Sequence, residues 1–371
     1  MVKKYIPVSE PNLKKKELNY VVDAVKSTWI SSKGKYIDKF EKMFAEYIGV
    51  NYAISVSNGT VALHLALLAL NIGPGDEVIV PNLTYIATAN SVTYVGATPI
   101  FADSEKDTWD IDPKSIKRLI TKKTKAIIPV HLYGNPCNMN AIIKIAKANN
   151  LFVIEDAAES IGSEYFGKKA GSFGDISTFS FYGNKTITTG EGGMVVTSDR
   201  EIANKLRILK GQGMNPNKRY WFDIIGYNYR MTNIQAAIGC AQMERVDELV
   251  EAKRNIAKLY NKYFMDILGI TLPVEKNHTI NTYWMYSIIL DNYCREGRER
   301  LRKELEKSGI ETRPFFYLLT EMPPYNGHKS DGCKIAKLLA DKGLNLPSST
   351  LLKEKEIEYI CGKVKKCLKE L

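Results

Sequence analysis

Between about residues 50 and 240 the chain alternates short apolar runs with helical stretches, and this pattern restricts the fold more than any other feature. The runs are Tyr52–Val56, Glu77–Val80, Thr98–Ala102, Ala126–Val130, Phe152–Ile154, Ser177–Phe181 and Met194–Thr197. They are mostly β-branched or aromatic and show little polar alternation, as strands covered on both faces of a mainly parallel sheet do. Helical patterns such as Thr60–Leu70 and Asn140–Asn149 lie between them. Alternating β and α with right-handed crossovers predicts an α/β fold around a mainly parallel, seven-stranded sheet.

The pattern changes after Arg230. Thr232–Asp266 predicts one or two long helices, with Ile234, Ala237, Ile238, Ala241, Val246 and Leu249 on one face. A strand-like Tyr283–Leu290, a charged helix at Glu296–Ser308 and a final helix near Lys353–Leu371 follow. The expected organisation is a large domain, 1–250, that includes the connecting helices, and a small α+β domain, 251–371.

Composition removes several function classes. The net charge is +11, but the basic residues (Lys3, Lys4, Lys14–Lys16, Lys122, Lys123, Lys365, Lys366) are dispersed and interleaved with acids. No zinc-finger spacing, basic heptad helix or aromatic-basic signature accompanies them, so a nucleic-acid partner is not expected. A phosphate-bearing small molecule suits the charge equally well. Apolar runs fall short of the roughly 18 residues that a membrane span needs. Met1–Glu10 is polar and lacks a signal-peptide core. The six cysteines include no CxxC pair and read as free thiols of a cytoplasmic protein. No His/Cys/Asp spacing suggests a metal.

Three segments carry chemistry. Ser57-Asn58-Gly59-Thr60 follows a strand and opens an apolar helix. A small turn at a helix N-terminus offers free N–H groups and the positive dipole end to a phosphate. Asn-Gly is also an ordinary turn, and Thr60 could simply cap the helix. In Phe152-Val153-Ile154-Glu155-Asp156 an acid ends a buried strand, where open α/β sheets bind ligands. There it could partner a pyridinium nitrogen or merely cap the next helix. The third segment runs from Ser177 to Gly193: an apolar strand, a small polar loop holding Lys185, then Gly190-Glu191-Gly192-Gly193. A Schiff-base lysine must be neutral for part of its cycle, which burial and nearby positive charge favour. The interval from Asp156 to Lys185 leaves room for one more strand, so acid and lysine can reach opposite ends of one ring. The order of phosphate turn, acid and lysine loop makes a stray surface lysine an unsatisfactory account.

With these segments in place the chain resembles the sugar-nucleotide aminotransferases, pyridoxal-5′-phosphate (PLP) enzymes of the aspartate-aminotransferase-like fold type I. The resemblance starts at Tyr5-Ile6-Pro7-Val8 and covers nearly the whole chain. It is carried further by Ser27–Gly34, Pro81–Ala87, His131-Leu132-Tyr133-Gly134, the lysine loop and Gly226–Asn233. It implies Lys185 as the catalytic lysine, Tyr85 stacked on the cofactor ring and Glu159 near the cofactor 3′-oxygen. It also implies Ser180, Gly59 and Thr60 on the phosphate, and Asp156 on the ring nitrogen. Asn228 would reach the phosphate of a neighbouring subunit, which makes a homodimer with shared active sites. Trp29, Ser31, His131, Arg313 and Tyr317 are placed on the substrate side, although Trp29 and Arg313 also suit core packing and a surface ion pair. His64, in an apolar helix, reads as a packed histidine.

Dehydrating relatives carry His where this chain has Lys185, so the resemblance implies transamination. The expected amino donor is L-glutamate and the expected acceptor GDP-4-keto-6-deoxymannose. A UDP- or dTDP-linked 4-keto-6-deoxy sugar, or a non-catalytic regulator on the same fold, are the alternatives. One departure stands out: after Arg313-Pro314 the most similar relatives read Phe-Tyr-Pro-x-His, whereas Leu318 and Thr320 occupy the Pro and His positions here. A substrate-facing loop would make that change matter for the sugar or the nucleotide.

Overall fold

A computed structural model describes residues 5–370. Residues 1–4 and 371, with Lys3, Lys4 and the outer ends of the first and last segments read above, lie outside the description. The seven expected strands form one sheet: β1 (Tyr52–Val56), β2 (Glu77–Pro81), β3 (Thr98–Ala102), β4 (Thr124–Ile127), β5 (Phe152–Asp156), β6 (Ile176–Ser180) and β7 (Gly193–Thr197). Their spatial order is β1-β7-β6-β5-β4-β2-β3. All neighbours are parallel except β7, which is antiparallel to both β1 and β6. The carboxyl ends of β1, β2, β4, β5 and β6 therefore face one side, and the chain segments that leave them converge there.

Both faces of the sheet are covered, as the apolar runs required. Ile54, Val56, Val80, Ile154 and Val195 belong to one core with helix α1 (Gly59–Ala69). On another face Phe179 and Phe181 meet Phe40 and Phe44, with ring centroids 4.8–5.4 Å apart. Strand periodicity turns successive side chains to opposite faces. Phe179 and Phe181 thus fix Ser180 on the opposite face. In the same way Val153 and Glu155 point away from the face that Ile154 and Asp156 share.

The predicted region Thr232–Asp266 forms two helices, α2 (Asn233–Met243) and α3 (Val246–Phe264). Helix α3 spans two cores: Val246, Leu249 and Val250 pack in one beside the seven-stranded sheet, Ile256, Ala257, Tyr260 and Phe264 in that of the C-terminal part. The change of partner falls just after residue 250. The C-terminal part carries a four-stranded sheet of Ile270–Thr271, Tyr286–Leu290, Gly343–Leu346 and Arg313–Pro314, flanked by helices Arg295–Lys307 and Glu354–Glu370. Ile6 lies in this core too, its N–H donating to the Gly309 carbonyl at 2.8 Å. Among the described residues no helix is long and apolar enough to cross a membrane, and no group of three His, Cys, Asp or Glu side chains could hold a metal ion.

Candidate active site

A cavity of about 770 Å³ opens where the strand ends converge, walled by the seven-stranded part and the C-terminal part. The large domain contributes Asn58–Val61, Thr84, Tyr85, Thr88, Asp156, Glu159, Ser180 and Lys185; the C-terminal part contributes Trp284, Arg313 and Phe316.

Helix α1 aims its N-terminus at the cavity. Its cap is Asn58, whose Oδ1 accepts from Val61 N at 3.0 Å, so Thr60 is freed from the capping role weighed above. The first N–H groups of a helix have no intrahelical acceptor, and here they face the cavity with Thr60. A Cβ on Gly59 would stand 2.8 Å from the Cβ of Ser180, so only glycine lets α1 come this close to β6. The result is a small-residue cradle of backbone N–H groups and hydroxyls, the chemistry that binds a phosphate.

Asp156 and Glu159 follow from β5. Asp156 is buried; its Oδ2 accepts from Thr88 Oγ1 at 2.8 Å and its Oδ1 from Ala158 N at 3.2 Å. Burial raises its pKa, and the bonds from Thr88 and Ala158 and the Lys185 charge oppose the rise. Glu159 is also buried and accepts from Tyr133 N at 2.8 Å. Burial pushes Glu159 up to about 7, against the pull of Lys185 and the Tyr133 N–H.

Lys185 reaches these acids from a loop closed by its own N–H to the Tyr182 carbonyl, 2.9 Å. Its Nζ is 3.7 Å from Glu159 Oε1, an ion-pair contact too long for a hydrogen bond, and 3.6 Å from the centroid of the Trp284 ring. Burial lowers the Lys185 pKa, while Glu159 and Asp156 resist the change. The two groups are thus displaced toward each other, as happens at sites that move protons.

Of the residues expected from sequence, Gly59, Thr60, Tyr85, Asp156, Glu159, Ser180, Lys185 and Arg313 share this cavity. His131 does not reach it. Its Nε2 lies 3.0 Å from Glu155 Oε2, and its Nδ1 accepts from Cys137 N at 3.0 Å, so both ring nitrogens are engaged away from the cavity. The expectation of His131 in the site is corrected by strand alternation: it follows Glu155 to the far face. Leu318 is buried in an apolar cluster, and Thr320 is clasped by Asn82, with N to Oδ1 at 3.0 Å and Oγ1 from Nδ2 at 2.9 Å. The two substitutions therefore lie behind the cavity wall that Phe316 forms. Tyr317 stands off the cavity with Arg295 and Arg298 within 6 Å of its ring. Trp29, Ser31 and Asn228 are exposed and outside the cavity, and the carbonyls of Trp29 and Ser31 are tied to Asn233. His64 is packed, its Nδ1 3.1 Å from Tyr229 Oη, among the rings of Tyr94, Tyr227 and Tyr229.

Sequence reasoning missed Thr88, Trp284 and Phe316. The cradle, the buried acid and the buried lysine fit PLP: its phosphate, ring nitrogen and carbonyl each have a complementary group, and the volume holds cofactor and substrate together.

Fold and cavity define a PLP-dependent aminotransferase of fold type I. The chain belongs to the DegT/DnrJ/EryC1/StrS aminotransferase family, matched over residues 11–365. It is 54% identical to GDP-perosamine synthase of Escherichia coli O157:H7, with 97% of this chain and 98% of that protein covered. Identity to GDP-perosamine synthase of Vibrio cholerae is 47%, covering 97% of this chain and 98% of the other. Among solved structures, Spr1654 from Streptococcus pneumoniae in its PLP form superposes with a TM-score of 0.94 at 29% identity, covering 99% of each chain.

The raised Glu159 carboxyl carries a stability prediction for the cofactor-free protein. An acid whose folded pKa lies above its unfolded value binds more protons when folded, so stability falls as pH rises from about 4.5 to about 7 and stays lower above. Glu159→Gln removes that loss. Relative to wild type, the variant should gain on the order of 2 kcal/mol on going from pH 5 to pH 8. Urea unfolding at the two pH values measures it; an equal offset at both would show that Glu159 ionises normally.

Proposed function

We propose that the chain is a cytoplasmic, homodimeric enzyme that transfers the amino group of L-glutamate to C4 of GDP-4-keto-6-deoxymannose, giving 2-oxoglutarate and GDP-perosamine. The observation that carries the reaction type is Lys185, buried, lowered in basicity and facing two acids across one cavity. The acceptor is supported by the two GDP-perosamine synthases that match this chain nearly end to end.

PLP supplies a carbonyl that carries the amino group and a charged pyridine ring that takes up the electron pair released at the donor Cα. Lys185 is the residue that would bond that carbonyl. Freed by an amino donor, its Nζ would take the proton from the donor Cα and hand it on as general acid. Gly59, Thr60 and Ser180 would hold the phosphate, Tyr85 would cover the ring, and Glu159 would serve the 3′-oxygen. Asp156, oriented by Thr88, would offer its carboxylate to the ring nitrogen. Arg313 lies on the substrate side. Asn228 serves the partner subunit's site: it is exposed, outside this cavity, and close in sequence to the exposed apolar residues Tyr220, Trp221, Phe222, Ile224 and Ile225.

The test is amination of a panel of 4-keto-6-deoxy sugar nucleotides by the purified protein with PLP and L-glutamate, read by mass spectrometry. The expected result is keto-to-amine conversion of the GDP-mannose derivative. Product only from a UDP- or dTDP-linked sugar would overturn the acceptor and keep the chemistry. A normal cofactor spectrum with no glutamate response would overturn the transaminase reading.

A further inference from the structure

Trp284, an aromatic side chain of the C-terminal part, meets both the lysine loop and the lysine head. Its ring lies 3.6 Å from Lys185 Nζ, and its Nε1–H donates to the Asn184 carbonyl at 2.8 Å, the peptide group that leads into Lys185. The indole is 5% exposed and stacks against Tyr133 at 25°, so its plane is not free to turn.

Trp284 is itself braced from behind. Lys253, in the middle of α3, is buried and donates to the Trp284 carbonyl at 2.9 Å and to the Ser348 carbonyl at 2.6 Å. Among the described residues no carboxylate lies within ion-pair distance of it. Lys253 sits where α3 passes from one core to the other, between Val250 and Ile256. The junction of the domains thus fixes Trp284, and Trp284 fixes the loop.

We propose that Trp284 is a positioning residue for Lys185: its indole face receives the lysine head and its N–H holds the peptide that carries it, so that the C-terminal domain sets where the lysine can reach. The inference rests on the reading of Lys185 as the lysine that bonds the cofactor. A cation over an indole face is stabilised relative to the neutral amine. The other charged groups around the head are Glu159 and Asp156, which favour the ammonium, and Arg313 and Lys253, which oppose it. Trp284 adds a contribution on the side of the acids that carries no charge of its own.

Two substitutions separate the two contacts. Trp284→Phe keeps an aromatic face and loses the N–H; Trp284→Leu loses both. The full chain is loaded with pyridoxamine phosphate, which leaves the Lys185 amine free, and the pH at which Lys185 becomes reactive toward an acylating reagent is followed by peptide mass spectrometry. Trp284→Leu should lower that midpoint by about one pH unit. Trp284→Phe should leave the midpoint in place but slow the half-reaction with glutamate roughly tenfold, because the Asn184 carbonyl then keeps only the longer bond from Ser9 Oγ, 3.4 Å. A midpoint unmoved in Trp284→Leu would overturn the role of the face. An unchanged half-reaction in Trp284→Phe would overturn the anchor, and it serves as the deciding result where Trp284→Leu does not fold. Borohydride reduction and peptide mapping of the wild-type protein test the assignment of Lys185 separately: cofactor fixed on another lysine would remove that assignment without any Trp284 variant.

Discussion

Lys185→Ala should lose turnover by roughly 10³-fold or more while keeping its cofactor. The two outcomes separate because the cavity holds the cofactor at several points. The cradle of Gly59, Thr60 and Ser180 and the carboxylate of Asp156 do not depend on Lys185 for their geometry: α1 is capped by Asn58 and Asp156 is held by Thr88. The proton transfer at the donor Cα, by contrast, has no second base of the same reach. Glu159, 3.7 Å from the lysine, is tied to the Tyr133 N–H through its other oxygen. Measurement takes three forms on one sample: amination of the sugar nucleotide, cofactor retained through gel filtration, and cofactor fixed to protein by borohydride. Wild type should be positive in all three, the variant only in the second. Near-wild-type amination by Lys185→Ala would end the assignment.

The extent to which this site was legible in the sequence follows from strand geometry. The phosphate turn, the acid and the lysine loop each sit at the carboxyl end of a strand whose apolar run is visible, so their convergence could be read from order alone. The boundaries of β4 were less legible: Ala126–Val130 was expected and Thr124–Ile127 is observed. Pairing goes on past Ile127, with Ile128 N on the Ile79 carbonyl at 2.8 Å and Asp156 N on the Pro129 carbonyl at 2.9 Å, but Pro129 has no N–H to continue a regular ladder, and Val130 lines the cavity. His131 misled for a related reason. A histidine after a strand lies in the right region, but its side chain turns to Glu155, whose carboxylate collects N–H donors from Gly171, Phe173 and Gly174. Alternation within Glu155-Asp156 already sends one acid to each face; the sequence does not say which loop waits on the far side. Leu318 and Thr320 show the converse. They looked like a change in substrate contact, yet one is core and the other is hydrogen-bonded to Asn82, a residue 238 positions away. Trp284 and Phe316 were invisible because they enter the cavity from the C-terminal part, about 100 or more positions beyond Lys185, and no local pattern encodes so distant a meeting.

Asp156→Ala should weaken cofactor retention and slow the glutamate half-reaction together, by roughly 10²-fold in rate. The physical cause is specific. Asp156 is buried, so its charge acts through a poorly screening medium on whatever faces it. Burial raises its pKa, and the Thr88 and Ala158 bonds together with Lys185 oppose that rise and so favour the carboxylate. Thr88→Val should therefore show a milder version of the same defect, since it removes one donor and leaves the carboxylate in place. Loss of packing is a competing account of any Asp156→Ala defect, and a cofactor analogue separates the two. PLP methylated on its ring nitrogen carries a fixed positive charge and needs no carboxylate to stay charged, and the alanine leaves room for the methyl group. The analogue should restore the half-reaction in Asp156→Ala by at least about tenfold relative to PLP and do nothing for wild type, where the methyl group meets the carboxylate. Equal rates with the two cofactors in the variant would mean that Asp156 acts on the shape of the cavity and not on the charge of the ring.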